Sequence, residues 1–218
     1  MPIEENIEEI KKEISRNIRL VAATKTRTIE EIKQAIEAGI TDIGENYIQE
    51  AKEKYSKLKG NIRFHFIGHL QTNKVKKAVE LFDMIQTVDS LNIAKEIDKR
   101  CKDISKIMPI LVEVNSGKEE NKDGCMPESV ESLIKEISKL KNLKVKGLMT
   151  MAPFFDNPEK DRPFFRLTKR LFDKIKGLNI PNVDMEILSM GMTDTYKIAI
   201  EEGSNMIRIG TKIFGPRQ

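Results

Sequence analysis

Short apolar runs recur along the chain, at Arg19–Ala23, Asp42–Ile43, Phe64–Ile67, Met84–Val88, Pro109–Val114, Lys146–Met151, Asp184–Leu188 and Met206–Ile209, and each reads as a strand. The stretches between them carry helical spacing instead. Ile29, Ile32, Ala35 and Ile36 mark one such face, and Val130, Leu133, Ile134 and Ile137 mark a later one. An amphipathic helix is predicted ahead of the first strand, near Glu4 to Ser15. Thr28 and Glu30 open the next helix and Gly39 closes it. Pro127 falls in the first turn of the helix carrying Val130, where its missing N–H costs nothing. Strand and helix therefore alternate through eight units, which implies a parallel sheet with helical crossovers, and eight is the number that closes a barrel. An open doubly wound sheet is the rival. It would be marked by a GxGxxG fingerprint after the first strand or by a Walker loop, and neither occurs. The expected fold is α/β: a single (β/α)8 TIM-type barrel with an extra N-terminal helix, one domain over residues 1–218, without linker, repeat array or low-complexity tract.

Composition narrows the class. The chain has 218 residues, 39% hydrophobic and 33% charged, enough for one sizeable core. No apolar run approaches the length that crosses a bilayer. The opening Met1-Pro2-Ile3-Glu4-Glu5-Asn6 is acidic where a signal peptide would be basic and then apolar, so a cytoplasmic protein is expected. The net charge of +4 invites a nucleic-acid reading. The lysines, however, are interleaved with glutamates along helical faces, as in Glu8-Glu9-Ile10-Lys11-Lys12-Glu13, and there is no tryptophan and no aromatic-studded basic groove. Neither a nucleic acid nor a membrane is expected as partner. Cys101 and Cys125 lie far apart without CxxC spacing and suit a reducing compartment.

In a parallel barrel the chemistry collects where the strands end. The first strand delivers Lys25, in Leu20-Val21-Ala22-Ala23-Thr24-Lys25-Thr26. A loop lysine is ordinarily a solvated charge; at a barrel mouth its neutral amine can attack an aldehyde. The seventh strand ends in Ser189-Met190-Gly191-Met192-Thr193, with a helix expected over Asp194–Glu202, and the eighth ends in Arg208-Ile209-Gly210-Thr211. Hydroxyls and bare glycine backbone at these two strand ends match the place where barrels hold phosphate. A phosphate site and a lysine in one mouth suggest a ligand with both a phosphate and an aldehyde, and pyridoxal 5′-phosphate fits. Arg208 alternates side with Ile209 and would point inward near the ring nitrogen, which a fixed positive charge keeps unprotonated. The plainer role for Arg208 is a strand ion pair with a residue such as Glu186.

The segments Val21-Ala22-Ala23-Thr24-Lys25, Gly44-Glu45-Asn46-Tyr47, His65-Phe66-Ile67-Gly68-His69-Leu70-Gln71-Thr72-Asn73-Lys74, Leu188-Ser189-Met190-Gly191-Met192 and Ile207-Arg208-Ile209-Gly210-Thr211 occur in order at fitting distances. Together they resemble the pyridoxal phosphate homeostasis protein family, whose fold is like the N-terminal barrel of alanine racemase. The resemblance covers nearly the whole chain. It implies Lys25 as the Schiff-base lysine, Ser189, Gly210 and Thr211 around the phosphate, and Arg208 at the ring nitrogen. It further implies Asn46 beside the ring, His69 lining the mouth, and Thr193, where many relatives carry serine, as a weaker phosphate contact. The activity it implies is carriage or buffering of the cofactor. Apo pyridoxal phosphate enzymes are expected as recipients, and a monomer or weak homodimer is expected as the assembly.

An amino-acid racemase is the alternative, with Lys25 as one base and Tyr47 or Tyr196 as the other. Racemases of the related fold draw their second base from an additional β domain, which is not expected after Gln218. A third possibility, a barrel for another phosphorylated metabolite, leaves Lys25 as a charge only. His65 and His69 straddle a strand and its loop, and no Cys, Asp or Glu is seen to complete a metal set. Helix-start packing is expected of Tyr47 and Tyr196, and packing of the barrel top is expected of Met149, Met151, Met190 and Met192. The polar, glycine-bounded segment Asn115–Gly124 reads as a mobile loop over the mouth.

Overall fold

The alternation closes into a barrel. The computed structural model describes residues 2–58 and 61–216. Its strands are β1 (Arg19–Ala23), β2 (Asp42–Glu45), β3 (Arg63–Phe66), β4 (Met84–Val88), β5 (Met108–Val114), β6 (Leu143–Thr150), β7 (Val183–Ser189) and β8 (Met206–Ile209). They pair in parallel in chain order, and β8 returns to β1 through Arg19↔Met206, Leu20↔Ile207, Val21↔Arg208 and Ala22↔Ile209. The helices are α1 (Ile3–Glu13), α2 (Ile29–Glu37), α3 (Ile48–Tyr55), α4 (Val75–Leu81), α5 (Leu91–Asp103), α6 (Val130–Ile137), α7 (Arg162–Gly177), α8 (Tyr196–Glu201) and α9 (Thr211–Phe214). This is the expected (β/α)8 barrel, with α1 as the extra N-terminal helix. No helix among the described residues is long and apolar enough to cross a membrane.

Local chemistry explains the boundaries. Thr28 and Glu31 form a reciprocal capping box at the start of α2: the Thr28 hydroxyl accepts from the Glu31 N–H, and Glu31 accepts from the Thr28 N–H. Ser90 caps α5 in the simpler way, accepting from the Ile93 N–H. β6 begins at Leu143, three residues before the run expected from Lys146, because Lys144 and Lys146 alternate with buried Leu143 and Val145 and reach Asp184 at 3.2 and 3.0 Å. Charged positions on a half-covered strand mask its true start. α8 begins at Tyr196 rather than Asp194, since Thr195 still has a non-helical backbone.

Most strand positions are buried, against the helices outside and against the other strands inside. The inner apolar layer is Val21, Met84, Leu111, Met149, Ile187 and Met206. Outside, α1 buries Ile7 and Ile10 against Ile32, Ile207, Ile209, Ile213 and Phe214, which fastens the extra helix over the seam where β8 meets β1. Tyr196 belongs to this packing, its hydroxyl donating to Glu13 of α1.

Candidate functional site

The carboxyl ends of β1, β2, β7 and β8 surround a cavity of about 240 Å³ lined by Ala23, Lys25, Arg27, Asn46, Phe154, Met192, Thr193, Asp194, Arg208, Gly210 and Thr211. Six of the predicted site residues meet there: Lys25, Asn46, Thr193, Arg208, Gly210 and Thr211.

Lys25 sits on a turn held from both sides. The Thr24 N–H donates to the Gly44 carbonyl at 2.9 Å, and the Thr24 carbonyl accepts from Lys54 Nζ at 2.7 Å. Thr26 takes a left-handed backbone, φ 64°, stabilised by its N–H donating to Glu50 at 2.8 Å. Lys54 also reaches Glu45 at 2.7 Å and Glu50 at 3.1 Å, so one buried ammonium ties β2, α3 and the lysine turn together. Lys25 Nζ lies 4.8 Å from the centre of the Tyr47 ring and has no ion pair among the described residues. Half-exposed Tyr47 thus faces the mouth, not only the helix start.

Arg208 is buried, and its guanidinium donates to Ser189 Oγ at 2.6 Å and to the Thr150 carbonyl at 3.0 Å. Burial pushes it down to about 10, against the opposing pull of Glu113, so it stays cationic at neutral pH. Its partner is not Glu186, which pairs with Lys146 at 3.1 Å. Ser189 does not line the cavity. Fully buried, it donates to Gln86 at 2.7 Å while accepting from Arg208. The chain continues through the barrel interior: Gln86 to His65 at 2.9 Å, His65 to Asp42 at 2.9 Å, and Asp42 to Arg63 at 2.7 Å. Burial alone would raise the Asp42 carboxyl, but hydrogen bonds from His65, Arg63 and Thr41 outweigh it and hold the group well below the usual range.

His69 stands apart from the lysine cavity, in a neighbouring hollow with Asn46, Tyr47, Gln71 and Lys74. Its Nδ1 lies 2.8 Å from Asp123, and Asp89 joins them, the three ligand-type atoms falling within 4.8 Å of one another. The expectation that no carboxylate accompanies this histidine therefore fails, because Asp89 follows β4 and Asp123 stands in the loop after β5, both far from His69 in sequence. Of the four methionines, Met149 and Met190 are core, whereas Met151 and Met192 are exposed and line the mouth. The Asn115–Gly124 segment does lie over the mouth, stapled by Asn115, whose side chain donates to the Glu119 carbonyl at 2.8 Å and accepts from the Glu119 N–H at 3.1 Å.

A protein of Aquifex aeolicus named pyridoxal phosphate homeostasis protein is 42% identical over 201 residues, spanning 92% of this chain and 87% of its own length. The chain belongs to the pyridoxal phosphate homeostasis protein family. The alanine racemase N-terminal domain pattern matches residues 2–218. Among solved structures, PipY of Synechococcus elongatus with PLP bound has a TM-score of 0.90 at 28% identity, covering 98% of this chain and 100% of that one. An alanine racemase of Clostridium difficile shares the fold, with a TM-score of 0.81 at 18% identity over 99% of this chain and 56% of its own. In this member of the homeostasis family, the strand-end pattern does not reveal Gln86, Lys54, Glu113 or Asp161, whereas Thr150 falls at the expected end of the sixth strand. Gln86 and Glu113 do carry a sequence signal, a polar residue inside an otherwise apolar strand.

Proposed function

We propose that the protein binds pyridoxal 5′-phosphate as a reversible Schiff base on Lys25 and carries or buffers it for apo-enzymes. One observation carries this reading: a lysine without an ion pair among the described residues, a buried arginine and two hydroxyls, from the ends of β1, β7 and β8, converge on one cavity. The donor set fits the group. Lys25 supplies the amine, Arg208 a fixed charge, Thr193 and Thr211 hydroxyls, and Ala23, Phe154 and Met192 apolar walls. A Cβ added at Gly210 would come within 3.3 Å of the Ala23 carbonyl oxygen, so the bare glycine keeps that corner open.

When bound, the cofactor supplies an electrophilic aldehyde and an electron-accepting ring. Lys25 would hold the aldehyde carbon, one water leaving on loading and returning on release. Thr193, Gly210 and Thr211 would hold the phosphate, and Asn46 would stand on the ring side of the cavity. Arg208 would hold its fixed charge toward the ring nitrogen, which disfavours protonation there, weakens the ring as an electron sink and suits a carrier more than a carbanion enzyme. Ser189 and Thr150 fix the guanidinium, so Ser189 is assigned to positioning Arg208 rather than to the phosphate. His69 is assigned no contact.

The test is the near-visible absorption spectrum with added pyridoxal 5′-phosphate, before and after borohydride, with the labelled peptide located by mass spectrometry. A yellow band in the wild type, fixed on Lys25 by reduction and missing in Lys25→Ala, is expected. No band at excess cofactor would overturn the reading. The racemase alternative retains a foothold in Tyr47, beside Lys25. Tyr196, committed to Glu13, is not available as its second base. Formation of D-alanine from L-alanine by the loaded protein, lost in Tyr47→Phe, would favour it.

A further inference from the structure

The side of the mouth formed by the ends of β5, β6 and β7 holds a second cavity, about 340 Å³, which shares Phe154, Met192 and Asp194 with the lysine cavity. That volume lies in the small-molecule range of roughly 300–1,000 Å³. Met151, Ala152, Pro153 and Phe155 give it apolar walls, and Phe154 at its edge is 84% exposed. Two carboxyls in this lining are buried: Glu113 is 3% exposed and Asp161 is 5% exposed. Neither side chain has a hydrogen bond or an ion pair among the described residues, and Asp161 Oδ1 is fully buried without a partner.

The neighbouring cations do not answer them. Lys122, the cation in the lining, pairs with Glu119 at 2.6 Å. Arg208 acts on Glu113 only through its charge, its hydrogen bonds going to Ser189 and Thr150. Asp123 faces His69, and Asp194 adds a further acid at the rim. A buried carboxyl left unpaired is costly to a fold, and Glu113 at an apolar cavity describes a receptor for a cation that none of the described residues supplies by hydrogen bond or ion pair.

We propose that this cavity binds a small primary amine with an apolar body, its ammonium taken by Glu113 and its apolar part set against Met151, Pro153 and Phe155. The ligand carries no carboxylate, since an α-amino acid would bring a negative charge among Glu113, Asp123, Asp161 and Asp194. Burial raises Glu113 to about 8, helped by the charges of Asp123 and Asp89, and raises Asp161 to about 6 against Lys122. At neutral pH an arriving ammonium therefore displaces a proton from Glu113 to the buffer and leaves a charge-assisted pair behind. The site is independent of the Lys25 reading.

The experiment is calorimetric titration of the cofactor-free protein, wild type and Lys25→Ala, with benzylamine at pH 7, alongside benzyl alcohol and phenylglycine. Saturable binding of benzylamine by both proteins is expected, at least tenfold tighter than either analogue. Its heat should shift with the ionisation enthalpy of the buffer as a proton leaves. Glu113→Gln, checked for folding by circular dichroism, should weaken benzylamine tenfold or more and leave benzyl alcohol unchanged. Equal affinity for benzyl alcohol in the wild type would reduce the site to an apolar hole and overturn the proposal, as would absence of saturable binding. A folded Glu113→Gln variant that retains benzylamine would overturn it too. Because Lys25→Ala removes the cofactor-holding amine but none of this lining, loss of the visible band and loss of amine binding report on separate sites.

Discussion

Lys25 and Lys54 meet at one turn, which Lys54 reaches from α3 through the Thr24 carbonyl, and they do opposite things. Lys54 is 6% exposed and donates to the Thr24 carbonyl, Glu45 and Glu50, so its charge is spent on structure. Lys25 is left with an aromatic face and a cavity. Removing the structural lysine strands Glu45, which is fully buried and already has an unpartnered Oε2. Lys54→Met is expected to cost roughly 3–5 kcal/mol, read by denaturant unfolding, and to weaken cofactor binding by loosening the Lys25 turn. Glu113 makes a prediction in pH. Burial lifts it from 4.5 to about 8, so the folded state holds a proton there that the unfolded chain has lost. The stability tied to this group is complete below about pH 4.5 and disappears as the pH rises through about 8. Glu113→Gln should therefore gain on the wild type across that window, by a few kcal/mol at most, in melts of the cofactor-free protein from acid to alkaline pH. A constant difference between the two curves would contradict it.

Within the elements, β6 carries the irregularity that aims the mouth. Its register against β5 slips between Ile110 and Leu111, and its register against β7 slips between Val145 and Gly147. Gly147 sits at φ 150°, and a Cβ there would fall 1.8 Å from the Ile187 carbonyl oxygen, which only glycine avoids. Beyond this bulge β6 presents Thr150, whose carbonyl holds Arg208. Gly147→Ala should cost roughly 3 kcal/mol or more in thermal unfolding, since strain and a backbone clash add. A variant melting with the wild type would mean that β6 has another register open to it. Strand limits were legible where neighbouring positions are buried on both faces: β1, β4 and β8 fall on the expected residues. They were not where lysines alternate with apolar positions, as in β6, because a half-polar strand loses the signal of a buried run.

For the molecule as a whole, closure of the barrel converts eight distant segments into one site and one interior. The inner apolar layer around Leu111 lies beneath the mouth and touches no proposed ligand. Leu111→Ala should destabilise by about 2–5 kcal/mol in denaturant unfolding and leave the Lys25 spectrum in place while the protein is folded. Loss of the band in the folded variant would instead couple the layer to the site. Running beside it, the chain Arg208–Ser189–Gln86–His65–Asp42–Arg63 joins the mouth to the opposite end of the barrel by successive hydrogen bonds. Each member satisfies a neighbour that would otherwise be buried alone.

By itself the sequence determined the order of strands and helices, the closure of eight units and the residues that stand at strand ends. Those follow from local periodicity and chain order, and they sufficed to place Lys25, Asn46, Thr193, Arg208, Gly210 and Thr211 about one mouth. Only the tertiary structure decided which polar groups lost their water. It sent Ser189 inward to hold Arg208, brought Asp89 and Asp123 to His69, and left Glu113 and Asp161 unpaired in a cavity. With 34 acidic residues in the chain, nothing local distinguishes those two, because burial and partnership arise from packing between segments far apart in sequence.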